Sequence, residues 1–487
     1  MPLWQDFCGG MYQTRSPIMG ADQAINVYLE TREVPGSPKQ MTMYGTPGLK
    51  FETTLGTLGS RGWFTQDGRT WCVYGATLYE RTGVGVFASL GTIPNDGNPV
   101  SFASNGAGGD QLAIVGGGQL NVLTLSTNAL TIASLPFSNP VMIVFQDGYG
   151  LINQLNTPTV WFTALENFLS IDALDFFARS NTSDNVVALA ISRDRLFVLG
   201  SKTTTLYYDS GNALNPWVPY PGTSTQIGAL SPWAVQVYND IVYWLGQSAR
   251  GDPKVIGART DMQAQVLSTP PIVDMLAACS TLSTAEMLVY SQGGHTFVTL
   301  TLPSSPSGVQ TYAFDVLEKR WHSRAAWNLT TGGYMRWAAR GVTATGTTIL
   351  TGDYANGNVY TLDLATYADN GSILRRERIA PYPSAENQWG FIDQIELGTQ
   401  AGVGLISGQG SAPVTELQIS RDGAQTWISA GFGALGAMGG YLARAIWRRL
   451  GRARMDRLVV RTIQTDPVPC VWGPGLWLTL TPGSKQL

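Results

Sequence analysis

Charge is what this chain of 487 residues has least of: Asp, Glu, Lys and Arg together make 13%, about half the share in an ordinary soluble domain. A net charge of −3 excludes a nucleic-acid binder that works by overall positive field. Lysine is scarcer still, six among the 31 basic residues, and the Arg that remains suits interfaces and bidentate pairing better. Histidine occurs twice, at His295 and His322. The four cysteines (Cys8, Cys72, Cys279, Cys470) show no Cys-x-x-Cys spacing. That leaves no readable disulfide framework or zinc site, and it suits buried free thiols in a reducing cytoplasm. The most membrane-like stretch, 428–443, is too short and too glycine-rich for a span. The opening MPLWQDFCGG lacks a basic region followed by an apolar core, so no secretory signal is expected.

What is present points to strands. Hydrophobic residues at 44% allow a large core, and 56 glycines beside abundant Thr and Ser suit an all-β chain with many tight turns. Such a neutral polar surface also suits a subunit that hides much of itself in an assembly. The stretch 187–212, VALAISRDRLFVLGSKTTTLYYDSGN, reads as strand, tight turn, strand, short turn, strand.

That phrase recurs. Apolar strands begin near Trp71, Leu112, Leu151, Leu196, Ile241, Phe297 and Ile349, at spacings of 41, 39, 45, 45, 56 and 52 residues. Most are followed by an aromatic or apolar pair, as at Leu78-Tyr79, Val160-Trp161, Tyr207-Tyr208 and Val359-Tyr360. A period of about 40–50 residues with several short strands each is the signature of propeller blades. The expected fold is therefore an all-β propeller of six or seven blades over 59–371. A pair of β-sandwiches with coincidental spacing is the alternative.

The flanks read differently. Residues 1–58 form an irregular arm with short strands at 25–29 and 41–44, separated by Pro35-Gly36-Ser37-Pro38. Beyond Pro381 the segments 391–397, 416–419, 427–428, 458–463 and 476–480 read as strands of a smaller, sandwich-like β domain. The arm and residues 372–487 are expected to pack together as a platform beside the ring. Helix is scarce, with a turn or two expected within 164–180.

Few residues carry recognisable chemistry. Ser420-Arg421-Asp422-Gly423-Ala424-Gln425-Thr426-Trp427 is similar to the Asp-box turn of sialidase-type propellers, with Ala424 where that motif wants Gly. It is a structural hairpin device, with Asp422 accepting backbone N–H bonds and Trp427 packing beneath. Gly200-Ser201-Lys202-Thr203 echoes a phosphate loop but lacks the Gly before Lys and any following helix, so it reads as a hairpin turn. Neither histidine sits in a nucleophile or metal motif. Asp172, Asp175 and Asp315 could serve glycoside chemistry only if the fold brings them together. No catalytic, cofactor or metal residue is expected.

The densest charge lies in 444–461, where Arg444, Arg448, Arg449, Arg452, Arg454, Arg457 and Arg461 face a single acid, Asp456. Left unpaired they would repel one another. They could meet phosphate or an acidic partner surface, or form an exposed, partly paired strand-and-turn face. The expected assembly interface comprises Arg444, Trp447, Arg448, Arg449, Arg452 and Arg454.

Several stretches taken in order carry a resemblance: NVYLE at 26–30, YGTPGL at 44–49, DALDF at 172–176, YYDSGN at 207–212, FDVLEKRWHSR at 314–324, SRDGAQTW at 420–427 and WRRLGRAR at 447–454. In these the chain resembles the packaged-DNA stabilisation proteins, the tail hub or nozzle proteins of short-tailed phages. The resemblance implies a virion protein made in the host cytoplasm, a structural subunit rather than an enzyme, with no cofactor. It implies a homo-oligomeric ring, a hexamer, below the portal and adaptor complex, continuing the DNA channel and retaining the genome until ejection. Tail fibre or spike and tail-plug proteins are further expected partners, DNA passes transiently, and no stable membrane insertion is implied. A receptor- or glycan-binding propeller is the alternative, ahead of a sialidase-like enzyme.

Overall fold

The computed structural model describes residues 3–18, 20–32, 41–179, 184–212, 215–248, 251–305, 308–383 and 388–482. The expected turn at Pro35-Gly36-Ser37-Pro38 lies outside them. Seven antiparallel sheets follow one another around a ring. The first is Ser60–Gln66, Arg69–Tyr74, Thr77–Gly83 and Val86–Thr92. The innermost strands of the seven blades meet in chain order, and Ala339–Thr345 of the seventh returns to Ser60–Gln66 of the first. The protein is therefore an all-β propeller of seven blades, carrying a β-sandwich.

Each recurring apolar run is the second strand of a blade. It reads as continuous because both faces are covered, in the way a doubly buried strand does. In Arg69–Tyr74, Trp71 and Val73 pack with Leu112 and Ile114 of the second blade, while Cys72 and Tyr74 pack with Leu350 and Val359 of the seventh. The same alternation fills every gap between neighbouring blades with one apolar cluster. Asp67-Gly68 and Asp147-Gly148 join first and second strands with both residues at positive φ, the two-residue turn whose twist matches the hairpin.

Closure departs from expectation. The arm 1–58 does not belong wholly to the platform: Gly48–Thr54 pairs with Asn358–Asp363 and supplies the outermost strand of the seventh blade. The helical turns expected in 164–180 are absent among the described residues. Phe176–Ala178 instead pairs with Thr159–Phe162 and completes the third blade, because its aromatic residues match Val160 and Trp161 across the strands. Among the described residues the longest helix is Pro270–Ala277, whose prolines occupy the first turn and whose Ile272 and Leu276 enter the core between the fifth and sixth blades.

The sandwich grows from the sixth blade. Its outer strand Arg320–Asn328 continues through Ala21–Ile25, Arg376–Pro381, Val459–Gln464, Val414–Ser420 and Ile428–Ala434 in one sheet. The facing sheet runs Val27–Thr31, Met41–Gly45, Val471–Pro482, Trp389–Thr399, Ala445–Arg454. Phe7, Val27 and Met43 of the arm share one core with Ile395, Trp447, Val460 and Trp472.

Candidate assembly surface

Ala445–Arg454 is the distal edge of its sheet, paired on one side only, with Trp389–Thr399. Its side chains alternate. Ala445, Trp447 and Ala453 are buried, while Arg448, Arg449 and Gly451 are exposed and Arg452 and Arg454 half-buried. Trp447 is only 4% exposed and its indole N–H donates to the Gly431 carbonyl at 2.9 Å. It therefore closes the sandwich and is not itself a contact surface. Arg448 lies opposite Gln394, Arg452 opposite Phe391 and Arg454 opposite Trp389. A bulge opposite 392–394 puts Arg449 at a φ of 58° and turns it outward.

Pairing within the chain corrects the picture of seven mutually repelling cations. Arg444 meets Glu396 at 2.5 Å, Arg454 meets Asp456 at 2.8 Å, Arg457 reaches the same Asp456 at 4.0 Å and Arg461 meets Glu377 at 3.2 Å. The Arg461 guanidinium also lies 3.9 Å over the Trp427 ring. Glu396, the partner of Arg444, and Glu377, the partner of Arg461, come from strands distant in sequence. Arg448 has only the amide oxygen of Gln394, at 3.0 Å. Arg452 stacks 4.2 Å over Trp389, with Nε and Nη2 buried and without an acceptor among the described residues. Among the described residues, Arg448, Arg449 and Arg452 have no carboxylate partner.

Aromatic residues complete this face. Trp389, Phe391 and Phe432 are exposed around the arginines. At the other end of this strand pair, beyond Leu397 and Ala445, Gly402 and Gly404 donate to the carbonyls of Leu435 and Gly436 at 2.8 and 3.2 Å, stacking two glycine-rich loops. The loops expose Ile406, Met438, Tyr441 and Leu442, the last by 94%. Sequence reading missed these; the signal was the uncharged run 428–443, read only as too short for a membrane.

The other candidates resolve into structure. His295 is buried beside Asp315, with Nδ1 2.6 Å from Oδ2, in the sixth blade, whereas Asp172 and Asp175 lie on the loop of the third. The three acids do not converge. Asp184 fills the turn at 200–203, accepting from the amides of Lys202 and Thr203 at 2.9 Å, so those amides are taken. Asp422 accepts from the amides of Gln425 and Thr426 at 3.0 Å and from the Thr426 hydroxyl, which holds its carboxyl well below the usual range. Burial pushes the thiols of Cys8 and Cys470 up to about 12. Among the described residues no group of three His, Cys, Asp or Glu could hold a metal, and no helix is long and apolar enough to cross a membrane. On the propeller axis the seven inner strands enclose a cavity of about 570 Å³, lined by apolar side chains such as Phe64, Phe102 and Met142 and by polar ones such as Gln66, Gln236 and Arg340.

Comparison with solved structures returns matches at low identity. The computationally designed Ika8 protein matches with a TM-score of 0.36 and 12% identity, over 64% of this chain and 99% of that one. The Neurospora crassa Pan2 WD40 domain matches at 0.41 and 12%, over 65% and 96%. The extracellular domain of the one-component system BT4673 from B. thetaiotaomicron matches at 0.42 and 10%, over 78% and 47%. No curated protein matches the chain. Two family matches cover most of it: "Bacteriophage P22 Gp10, beta-propeller" over residues 8–367 and "Bacteriophage P22 Gp10, beta-sandwich" over 375–473. The chain thus belongs to the bacteriophage P22 Gp10 family, structural DNA-stabilisation proteins of the phage tail.

Proposed function

We propose that copies of this chain assemble into a closed ring, six by the family resemblance, that continues the DNA channel below the portal and adaptor and retains the packaged genome. The observation that carries this reading is the distal face of the sandwich. Arg448, Arg449 and Arg452, without carboxylate partners among the described residues, stand there among exposed Trp389, Phe391 and Phe432, the composition of an interface centre rather than of a solvated surface. Arg444, Arg448, Arg449, Arg452 and Arg454 are assigned to contact with a neighbouring subunit or the adaptor. Tail fibre or spike and plug proteins are assigned to other faces of the ring.

The genome's path in this reading lies between subunits. The propeller's own axial cavity, about 570 Å³, is of small-molecule size, too small to pass a hydrated duplex. An arginine face turned into the lumen would grip passing phosphate and slow ejection, which favours placing it at a protein contact. No turnover is assigned to the chain; sialosides, polysaccharides and esters should be processed no faster than in buffer.

The test is a paired charge reversal, Arg448→Glu with Arg449→Glu, followed by counting copies of the chain on purified tails. Loss of at least about tenfold is expected, as like charges meet across the contact. Full occupancy at physiological salt with both reversals would overturn this assignment.

A further inference from the structure

The rim of the third blade carries a surface that nothing in the chain uses. Between Thr159–Phe162 and Phe176–Ala178 the backbone runs outward through 163–175. Leu165, Leu169, Leu174 and Phe176 are exposed there, Leu174 by 80%. Glu166 and Asp172 are exposed beside them and Asp175 is half-buried. Among the described residues none of these three acids has an ion pair.

The loop is held in one shape. The Glu166 amide donates to the Gly148 carbonyl at 2.8 Å, Asn167 accepts from the Leu169 amide at 3.0 Å, and Asp172 accepts from the Leu174 amide at 2.9 Å. Phe168 is fully buried and packs edge-on to Phe145, and Trp161 packs against Phe176 at 4.9 Å. An ordered apolar ridge edged with unpaired acids loses little entropy on docking, and exposed apolar clusters of this kind mark contacts.

Position selects the occupant. The sandwich is joined to the sixth blade through Ala21–Ile25, and the arm enters the seventh through Gly48–Thr54. In a ring of seven, the third blade stands three steps from each. The arginine strand, in turn, lies at the edge of its sheet farthest from Val27–Thr31, the strand that touches the sixth blade. Ridge and arginine face thus lie on parts of the fold that do not pack together, and among the described residues no ion pair joins them within one copy.

We propose that the acidic, apolar ridge of the third blade docks on the arginine and aromatic face of a second copy of this chain. Glu166, Asp172 and Asp175 then face Arg448, Arg449 and Arg452, while Leu165, Leu174 and Phe176 cover Trp389, Phe391 and Phe432. The contact joins two different patches, so every copy offers one of each, and all are filled only when the chain of contacts closes on itself. This rests on the ring reading and names its interface.

The two are separated by measuring copies of the chain on purified tails for three variants. Arg448→Glu/Arg449→Glu and Glu166→Lys/Asp172→Lys should each lower occupancy at least about tenfold, and the quadruple variant, carrying both reversals in every subunit, should restore it to within about twofold. If the arginine reversal breaks the ring and the acid reversal does not, the ridge is overturned and the ring reading stands. If neither breaks it, both fall. A cysteine pair, Asp172→Cys with Arg449→Cys, decides where the quadruple variant fails to fold: oxidised tails should yield a ladder of covalent multimers, and monomer alone overturns the ridge contact.

Discussion

Asn26 and Ala325 exchange a pair of hydrogen bonds: the Asn26 Nδ2 donates to the Ala325 carbonyl at 2.8 Å and the Ala325 amide donates to Asn26 Oδ1 at 3.0 Å. The same Nδ2 donates to the Arg375 carbonyl at 2.8 Å. Asn26 sits at a φ of 56° between Ala21–Ile25 and Val27–Thr31, where the chain crosses from one sandwich sheet to the other. Asn is suited to both tasks, since it tolerates the left-handed region and mimics a backbone amide.

Replacing this side chain should cost more than its size suggests. Asn26→Ala removes three hydrogen bonds, orphans buried backbone groups and strains φ, a loss of about 3–5 kcal/mol. Asn26→Gly relieves only the strain. Denaturant unfolding of the purified chains should show glycine recovering about 1 kcal/mol; a full recovery would mean that the hydrogen bonds contribute nothing.

Ring closure makes a second prediction. Glu52, on the strand lent to the seventh blade, accepts from Arg81 of the first at 2.8 Å and from the Gly85 amide at 2.7 Å. Both side chains are largely covered. Glu52→Ala should destabilise by about 2–3 kcal/mol, allowing for partial exposure. It should also speed protease cleavage next to 48–54, and unchanged digestion would show that the clasp does not depend on this pair.

The junction between propeller and sandwich should respond to pH. The His295 imidazolium donates to the Asp315 carboxylate, which raises its pKa above the ordinary 6.5. Glu30 lies 3.7 Å from its other nitrogen, and Tyr28, Phe297 and His322 pack around it. Burial keeps His322 neutral, with its pKa lowered to about 3. A raised folded value means that the His295 contribution is complete below about pH 6.5 and is lost as pH rises through the folded pKa. Burial raises Asp369 to about 6, so its ionisation costs stability between about pH 4 and 6, in the same direction. Above about pH 7, where Asp369 is already ionised and His322 is neutral in both folded and unfolded chains, the melting temperature should fall as pH rises, and His295→Gln should flatten that fall. A variant as pH-dependent as the parent would refute the assignment.

Ala424 occupies the Asp-box turn at a φ of 68°, a region where Cβ costs about 1–2 kcal/mol. Ala424→Gly should raise stability by about 1 kcal/mol while Asp422→Ala lowers it. A thermal melt in which glycine destabilises would show that the Ala424 methyl, packed with Trp427 beside Ile379 and Val459, outweighs the strain.

The sequence was legible where burial is two-sided. The second strand of each blade lies between two neighbours, so runs such as LAIVG and LFVLG stand out and their spacing fixes the ring. Strands with one covered side were harder to read. Ala445–Arg454 reads AIWRRLGRAR because its outer face is arginine and a bulge breaks the alternation, and Gly48–Thr54 pairs with a partner about 300 residues later, beyond any local pattern. Its YGTPGL start looked like a turn and is a joint between the two bodies. The arginine cluster was visible as composition. Its internal partners Glu396 and Glu377, and the aromatic residues around it, emerge only when distant strands are set side by side.

That long-range pairing also sets a timetable for biosynthesis. Thr54 bonds to Asn358 across 304 residues, so the lent strand leaves the ribosome long before its partner exists. At about 5–20 residues per second, its backbone amides and carbonyls wait roughly 15–60 s unpaired. For that interval six blades stand in an open arc with two raw flanks, each able to recruit a strand from a neighbouring nascent chain. Yield in the host should therefore be governed by translation speed and chaperone supply as much as by the stability of the finished molecule.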